Sequence, residues 1–241
     1  MLNYGIAFVA GFLTGLVAAL FGVGGGVLAI PVMVFLLGLK PPVAVATNSV
    51  IIVISTSLSA FFHWRQGTLR KEGIYLGLGG VLGSFAGNAL FFYVSSVGGM
   101  RIVLGISFIL IGLIMLTKVR TERNRAVSPL KLALTGILIG TFAGLVGMSG
   151  GVLLNPVLVL MGFDIKQAIG LSVAALPIIT VASAVPKVLA GYANLEVAVA
   201  WVPGVILGTK AGAAVMKKIK SSTLKKLFAL FMIGIGIRFL T

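Results

Sequence analysis

Apolar residues form long runs along the chain, and short polar or glycine-rich stretches divide these runs into ten pieces. Most pieces are close to the length that a helix needs to cross the hydrocarbon core of a bilayer. No acidic residue lies deep in any of them. The pattern therefore predicts membrane-embedded helices at residues 4–21, 27–38, 43–64, 73–94, 99–117, 131–146, 152–163, 167–189, 195–216 and 223–240.

Two of the longest apolar runs are interrupted by glycine clusters. Residues 22–26 (GVGGG) lie within the run 4–39, and residues 147–151 (GMSGG) lie within the run 132–163. Each glycine costs a helix about 1 kcal/mol relative to alanine, so the helix is expected to break there. Broken backbone at membrane depth is tolerated only when it is buried in protein or lines a polar cavity. Two such breaks in matching segments indicate a transporter binding site.

The two breaks belong to an internal repeat with a spacing of about 125 residues. Its boundaries predict a first transmembrane repeat at 1–120, a basic linker at 121–130 and a second transmembrane repeat at 131–241. The matching positions are Gly11, Gly15, Gly22, Gly25, Gly26 and Pro31 with Gly136, Gly140, Gly147, Gly150, Gly151 and Pro156.

Composition narrows the class of protein further. Of the 241 residues, 59% are hydrophobic and only 10% are charged, and the mean hydropathy is +1.18, which indicates a polytopic membrane protein without a soluble domain. The net charge of +15 comes from basic residues in short links between apolar runs, so it indicates membrane orientation rather than nucleic-acid binding. The chain has no cysteine, which excludes disulfides and thiol chemistry.

The basic residues also favour one topology. If each broken segment crossed the membrane once, the basic residues would divide almost evenly between the two faces. If each segment folds back as a hairpin at its glycines, 14 of the 19 basic residues share one face, as expected of a cytoplasmic side. We therefore predict an all-α polytopic fold of two inverted repeats, each with a glycine-broken hairpin and about three further transmembrane helices. The shared face would carry Arg65, Arg70, Lys71, Lys118, Arg120, Arg123, Arg125, Lys131, Lys166, Lys217, Lys218, Lys220, Lys225 and Lys226.

A family resemblance rests on the first break and the segments that follow it. These are GVGGGV at residues 22–27 followed by Pro31, AVATNS at 44–49 and RQG at 65–67, with weaker copies in the second half. The whole chain resembles the TauE/SafE family, known as sulfite and organosulfonate exporters or permeases. The resemblance implies transport of sulfite, thiosulfate or an organosulfonate such as sulfoacetate. Because Ser149 replaces Gly24 and Leu171 replaces Thr47, the two halves are expected to contribute unequally to a site.

The chemistry of the residues independently favours an anion. Helices that restart at Val27 and Val152 would aim their N-termini, with unpaired N–H groups and a partial positive charge, at the midplane. Hydroxyl and amide donors follow within a few turns. For Gly11, Gly15, Gly136 and Gly140 we instead expect a packing role, because small residues let helices approach closely. The candidate substrate-binding residues are Gly24, Gly25, Gly26, Thr47, Asn48, Ser49, Ser149, Gly150, Gly151, Asn155 and Ser172.

Three further side chains are candidates for a gate or for attracting an anion. His63 ends an apolar piece beside Trp64 and Arg65, and its simpler interpretation is an interfacial residue. For Lys187 and Lys210 the simpler interpretation is that the side chain snorkels to the interface. The alternatives are a titrating histidine gate and basic groups that draw the anion towards its pathway.

The sequence leaves a short set of functions open. The leading hypothesis is a multi-pass secondary transporter of the cell (inner) membrane that works by alternating access, and the alternative is a passive anion channel. An enzyme is not expected, because no nucleophile–base pair, carboxylate pair or metal-ligand cluster is present. No cofactor or resident metal is expected either. The expected partners are the lipid bilayer and the small sulfur anion, and a homodimer is an alternative to a monomer.

Overall fold

The computed structural model describes residues 4–21, 26–116, 128–216 and 221–241. Within these ranges the chain forms ten helices and no strand, so the predicted all-α architecture is confirmed. The helices are α1 (Tyr4–Phe21), α2 (Gly26–Phe35), α3 (Pro41–Arg65), α4 (Gly73–Ser96), α5 (Met100–Leu116), α6 (Pro129–Val146), α7 (Gly151–Leu160), α8 (Ile165–Leu189), α9 (Leu195–Met216) and α10 (Ser221–Leu240).

The outer surface of the helices is apolar. Within the described residues, α3, α4, α6 and α8 are long and apolar enough to cross a membrane, and between 44% and 61% of each apolar window is buried inside the protein. The remaining faces carry large exposed side chains such as Leu78, Leu82 and Phe85 on α4. A soluble protein rarely exposes so large an apolar surface, whereas a bilayer solvates it. The fold is that of a polytopic membrane protein.

Helix ends follow local chemistry. Asp164 and Gln167 form a capping box at the start of α8, where Asp164 Oδ1 accepts hydrogen bonds from the backbone N–H groups of Lys166 (2.9 Å) and Gln167 (3.0 Å). Pro41 occupies the first turn of α3, where its missing N–H is not needed. These caps place polar groups at helix ends and leave the apolar residues to the spans.

Glycines bring two helix pairs into backbone contact. A Cβ on Gly11 of α1 would overlap the carbonyl of Trp201 on α9, and a Cβ on Gly136 of α6 would overlap the carbonyl of Leu76 on α4. The two contacts are equivalent under the internal repeat, because Gly136 lies 125 positions after Gly11 and Trp201 lies 125 positions after Leu76. Gly15 with Val205 and Gly140 with Gly80 repeat the relation one turn further on. The packing role predicted for Gly11, Gly15, Gly136 and Gly140 is therefore confirmed.

Helices α3 and α8 cross in opposite directions. The start of α3 lies beside the end of α8, their middles meet, and the end of α3 lies beside the start of α8. Three hydrogen bonds mark this crossing, from the start of α3 to the loop after its end: Asn194 N–H to Thr47 Oγ1 (2.9 Å), Thr56 Oγ1 to Thr180 Oγ1 (3.0 Å) and Arg70 N–H to the Gly170 carbonyl (3.1 Å).

Helices α1 and α2 run in opposite directions, and so do α6 and α7. Helices α1 and α9 run parallel, as do α4 and α6, because the contacting glycines advance along both partners together. Helices joined by short connections run antiparallel, so α9 opposes α8 and α4 opposes α3. Helix α1 therefore has the direction of α3, and α6 has that of α8. The intervening α2 and α7 must run the opposite way, which is the hairpin arrangement.

A side-chain contact agrees with the second hairpin. Thr135, near the start of α6, lies 3.5 Å from the sulfur of Met161, just beyond the end of α7. Gly150 lies against Ile139, about two turns before α6 ends. Helix α7 thus returns towards the face from which α6 began.

Candidate functional site

The second glycine break is a sharp turn between two helices. Gly147 ends α6 with φ +67°, and Gly150 precedes α7 with φ +69°. Both values lie in the left-handed region that favours glycine. Gly150 has no side chain with which to cap α7, so the helix starts without a capping group from that residue. The start of α7 therefore keeps its positive N-terminal dipole within the protein.

Helix α3 of the first half packs directly onto this turn. Asn48 Nδ2 donates a hydrogen bond to the Gly147 carbonyl at 2.7 Å, although the two residues are 99 positions apart. A Cβ on Gly147 would lie 2.5 Å from the Val45 carbonyl and 2.9 Å from Ser49 Oγ. Asn48 and Ser49 are fully buried. The candidate residues on α3 and those in the second break thus form one cluster.

Two amide oxygens near the break lack hydrogen-bond partners. Asn48 Oδ1 and Asn155 Oδ1 are buried, and neither has a partner among the described residues. Asn155 lies one turn inside α7, and Ser149, within the turn, is only 2% exposed. A buried acceptor without a donor is costly in a native protein, so such atoms call for an explanation.

Other predicted site residues are satisfied within the protein. Thr47 Oγ1 accepts from the backbone N–H of Asn194 at 2.9 Å, and Ser49 donates to the Val45 carbonyl at 2.9 Å. Ser172, which occupies in α8 the position that Asn48 occupies in α3, donates to the Ile169 carbonyl at 3.0 Å. These groups hold helices and turns in place.

Only part of the first break can be placed. Gly26 begins α2. Gly24 and Gly25 lie outside the described residues, so their predicted role stays a prediction.

Lys187 is deeply buried, and the snorkelling interpretation is wrong for it. Its side chain is 0% exposed although it lies in the last turn of α8. Nζ donates to Asn88 Oδ1 (2.7 Å), to the Ser183 carbonyl (2.8 Å) and to Ser183 Oγ (3.1 Å), and it lies 5.0 Å from the ring centre of Phe91. The side chain points back along α8 towards its N-terminus, as helix geometry favours.

Asn88 and Ser183 are functional candidates that the sequence analysis missed. Asn88 lies on α4 and is 3% exposed, and its Nδ2 donates to the Ala182 carbonyl at 3.0 Å. Ser183 is fully buried and donates to the Ala143 carbonyl at 2.9 Å. An isolated amide or hydroxyl on an apolar helix is the available signal, because such groups seek partners inside the protein.

We refer to Lys187, Asn88 and Ser183 together as the Lys187 cluster. This cluster connects to the glycine break through one carbonyl. The Ala143 carbonyl of α6 accepts from Ser183 Oγ and also from the backbone N–H of Gly147, both at 2.9 Å. The hydrogen-bonded path therefore runs from the ammonium group through Ser183 and Ala143 to the turn that Asn48 contacts.

His63 and Lys210 remain outside this cluster. His63 is half-buried at the end of α3, and its Nδ1 lies 2.8 Å from Thr68 Oγ1 in the following loop. Lys210 is exposed on α9, which agrees with snorkelling. Across the described residues, no group of three histidine or acidic side chains lies close enough together to hold a metal ion.

The apolar spans and the buried polar cluster beside a broken helix are those of a multi-pass membrane protein. The chain belongs to the sulfite exporter TauE/SafE family, whose model matches residues 7–239. The resemblance inferred from the glycine motifs is thereby confirmed.

Several curated relatives extend over nearly the whole chain. The probable membrane transporter protein YunE of Bacillus subtilis is 28% identical, covering 98% of this chain and 96% of the relative. A probable membrane transporter protein of Haemophilus influenzae is 27% identical, covering 96% of each. The probable membrane transporter protein MJ0441 of Methanocaldococcus jannaschii is 24% identical over 90% of this chain and 88% of the relative. No solved structure matches the chain significantly.

Proposed function

We propose that this protein is a secondary transporter of the cell (inner) membrane that carries a small sulfur-containing anion by alternating access. The substrate class comes from the family description, which names sulfite export. Sulfite, thiosulfate and an organosulfonate such as sulfoacetate are the substrates to compare. The names of the relatives support membrane transport and say nothing of the substrate.

The observation that carries the proposal is the contact between Asn48 and the second glycine break. Asn48 Nδ2 holds the Gly147 carbonyl at 2.7 Å, which fixes the turn from which α7 starts. Backbone N–H groups at a helix start bind oxyanions without a formal positive charge. Sulfite and sulfonate oxygens are good acceptors for these donors. We assign the anion to the start of α7, beside Ser149, Gly150, Gly151 and Asn155.

The unpartnered amide oxygens fit a hydrated or protonated substrate. Asn48 Oδ1 and Asn155 Oδ1 can accept hydrogen bonds but cannot donate them, so they would repel an anion oxygen that carries no proton. A water in the anion's shell, or the proton of hydrogensulfite, would satisfy either atom. The same site would then discriminate among anions by protonation as well as by size.

Alternating access requires two related arrangements, and the proposed inverted repeat supplies them. Helices α3 and α8 oppose each other about the contact between Thr56 and Thr180, which are 124 positions apart. An axis that relates two antiparallel equivalent helices lies in the membrane plane. This supports inverted repeats with halves at 1–120 and 131–241, the arrangement in which one half can rock against the other.

Counterflow in proteoliposomes tests the proposal. Vesicles are loaded with unlabelled sulfite, thiosulfate, sulfate, sulfoacetate or a carboxylate control, and uptake of labelled thiosulfate or sulfite is followed. We expect transient accumulation only when a sulfur anion is inside. Uptake that rises linearly with concentration for many anions and never overshoots would indicate a passive channel instead. No flux of any sulfur anion would refute the substrate assignment.

A further inference from the structure

Lys187 stands apart from the other basic residues of the protein. Among the basic side chains whose exposure the structure describes, it is the only one that is buried. The three described acidic residues, Glu72, Asp164 and Glu196, are all exposed. The buried ammonium group is therefore surrounded by neutral groups in the described part of the chain.

The neighbours of Lys187 accept its hydrogen bonds but carry no negative charge that would balance its positive charge. All three acceptors, Asn88 Oδ1, the Ser183 carbonyl and Ser183 Oγ, are neutral. The face of the Phe91 ring provides a further weak attraction. A charge removed from water is stabilised far more by an opposite charge than by neutral dipoles, and charged groups inside membrane proteins commonly mark ion pathways.

The position of Lys187 relates its charge to the candidate anion site. Ser183 binds the ammonium group and the Ala143 carbonyl, and the same carbonyl accepts from the Gly147 N–H in the glycine break. Coulomb attraction in a low-dielectric interior extends over several ångströms, so an anion near this turn need not displace any acceptor of Lys187.

We propose that Lys187 is the counter-charge of the transported anion, with Asn88 and Ser183 as the residues that position it. The inference rests on the proposed transport function and adds the formal positive charge that the helix start lacks. Because the ammonium group is buried inside the protein, we assign its role to the middle of the pathway and not to either end.

Asn88→Asp is the sharpest test, because it introduces a carboxylate where Oδ1 now lies 2.7 Å from Nζ. The resulting ion pair neutralises Lys187 without removing it. Asn88→Ala is the matched variant, since both changes remove the Nδ2 bond to the Ala182 carbonyl and only the first adds a negative charge. Lys131→Gln removes an exposed basic charge and controls for net charge.

The first readout is independent of transport. Full-length protein in detergent is titrated with thiosulfate, sulfite, sulfate or nitrate at constant ionic strength, and the thermal unfolding temperature is followed. We expect anion-induced stabilisation in the parent protein and in Lys131→Gln. In Asn88→Ala it should be weaker but still measurable, because Lys187 keeps its charge and loses one of the hydrogen bonds that position it. In Asn88→Asp the apparent affinity should fall by roughly 30-fold or more, as for the loss of a buried charge–charge contact.

The second readout is counterflow with the same variants. Equal anion stabilisation and equal flux in Asn88→Asp and Asn88→Ala would overturn the inference, because a purely structural lysine depends on hydrogen bonds alone. If no anion stabilises the parent protein more than Asn88→Asp, the inference also fails. If anions stabilise the parent protein but not Asn88→Asp, and no sulfur anion is transported, the transport proposal is refuted. Lys187 then remains the counter-charge of a bound anion.

Discussion

Replacing Gly147 by alanine probes the turn on which the candidate site depends. Gly147 adopts φ +67°, where an L-residue with a side chain costs about 1–2 kcal/mol. The new Cβ would also lie 2.5 Å from the Val45 carbonyl and 2.9 Å from Ser49 Oγ. Forcing extra volume into a packed interior costs about 1–3 kcal/mol more. The expected loss of stability is roughly 2–5 kcal/mol.

Gly67→Ala is the matched control for this change. Gly67 has nearly the same backbone conformation, with φ +66°, but nothing lies within 4 Å of a Cβ placed there. Its substitution should therefore cost only the conformational part, about 1–2 kcal/mol. The difference between the two variants isolates the packing of α3 against the glycine break.

The measurement is unfolding of the detergent-purified protein by sodium dodecyl sulfate, followed by circular dichroism at 222 nm. Counterflow of a sulfur anion is measured in parallel. Gly147→Ala should unfold at lower denaturant than Gly67→Ala and should lose exchange, because its turn can no longer dock on Val45 and Ser49. Equal destabilisation of the two variants would contradict the contact between α3 and the break, and with it the assignment of Asn48 to the site.

Three further substitutions test separate parts of the structure. Asn155→Leu should weaken anion exchange while leaving stability within about 1 kcal/mol, since it removes a buried oxygen that has no partner; a large loss of stability would contradict this. Thr56→Val and Thr180→Val should each cost about 1 kcal/mol, and the double variant should cost less than their sum because they share one hydrogen bond; additive losses in unfolding titrations would count against that bond. Lys210→Gln should leave the KM of exchange unchanged, because Lys210 is exposed; a raised KM would place it on the pathway.

Hydropathy predicts all ten helices of the described residues, because a membrane requires long apolar segments with internally satisfied backbone. It was less accurate where apolar residues continue beyond a helix end. The apolar pattern predicts a second helix that reaches residue 38, but α2 ends at Phe35, and Gly38 takes φ +65° in the turn that follows. Helix α7 likewise ends at Leu160, before Gly162 with φ +100°. Apolar residues indicate which part of the chain lies in the membrane, whereas the conformation of a glycine determines where the helix ends.

The candidate site was only partly visible in the sequence. Asn48 and the second break were both identified, yet nothing in their spacing indicates that Asn48 contacts Gly147 of the other half. An isolated polar residue on an apolar helix is a signal that several residues of this chain share, so the sequence does not single out Asn88 or Ser183. Lys187 ends an apolar piece, where snorkelling is the ordinary outcome, and only tertiary packing reveals its burial.

The reciprocal glycine contacts have a consequence for synthesis and insertion of the chain. Helix α1 packs on α9, so it can reach this partner only after the seven intervening helices have been synthesised. Until then its glycine face, which later meets the carbonyls of Trp201 and Val205, is open to lipid or to another helix. The two halves therefore cannot assemble fully in the order of synthesis, and a chain truncated before α9 leaves the glycine face of α1 without this partner.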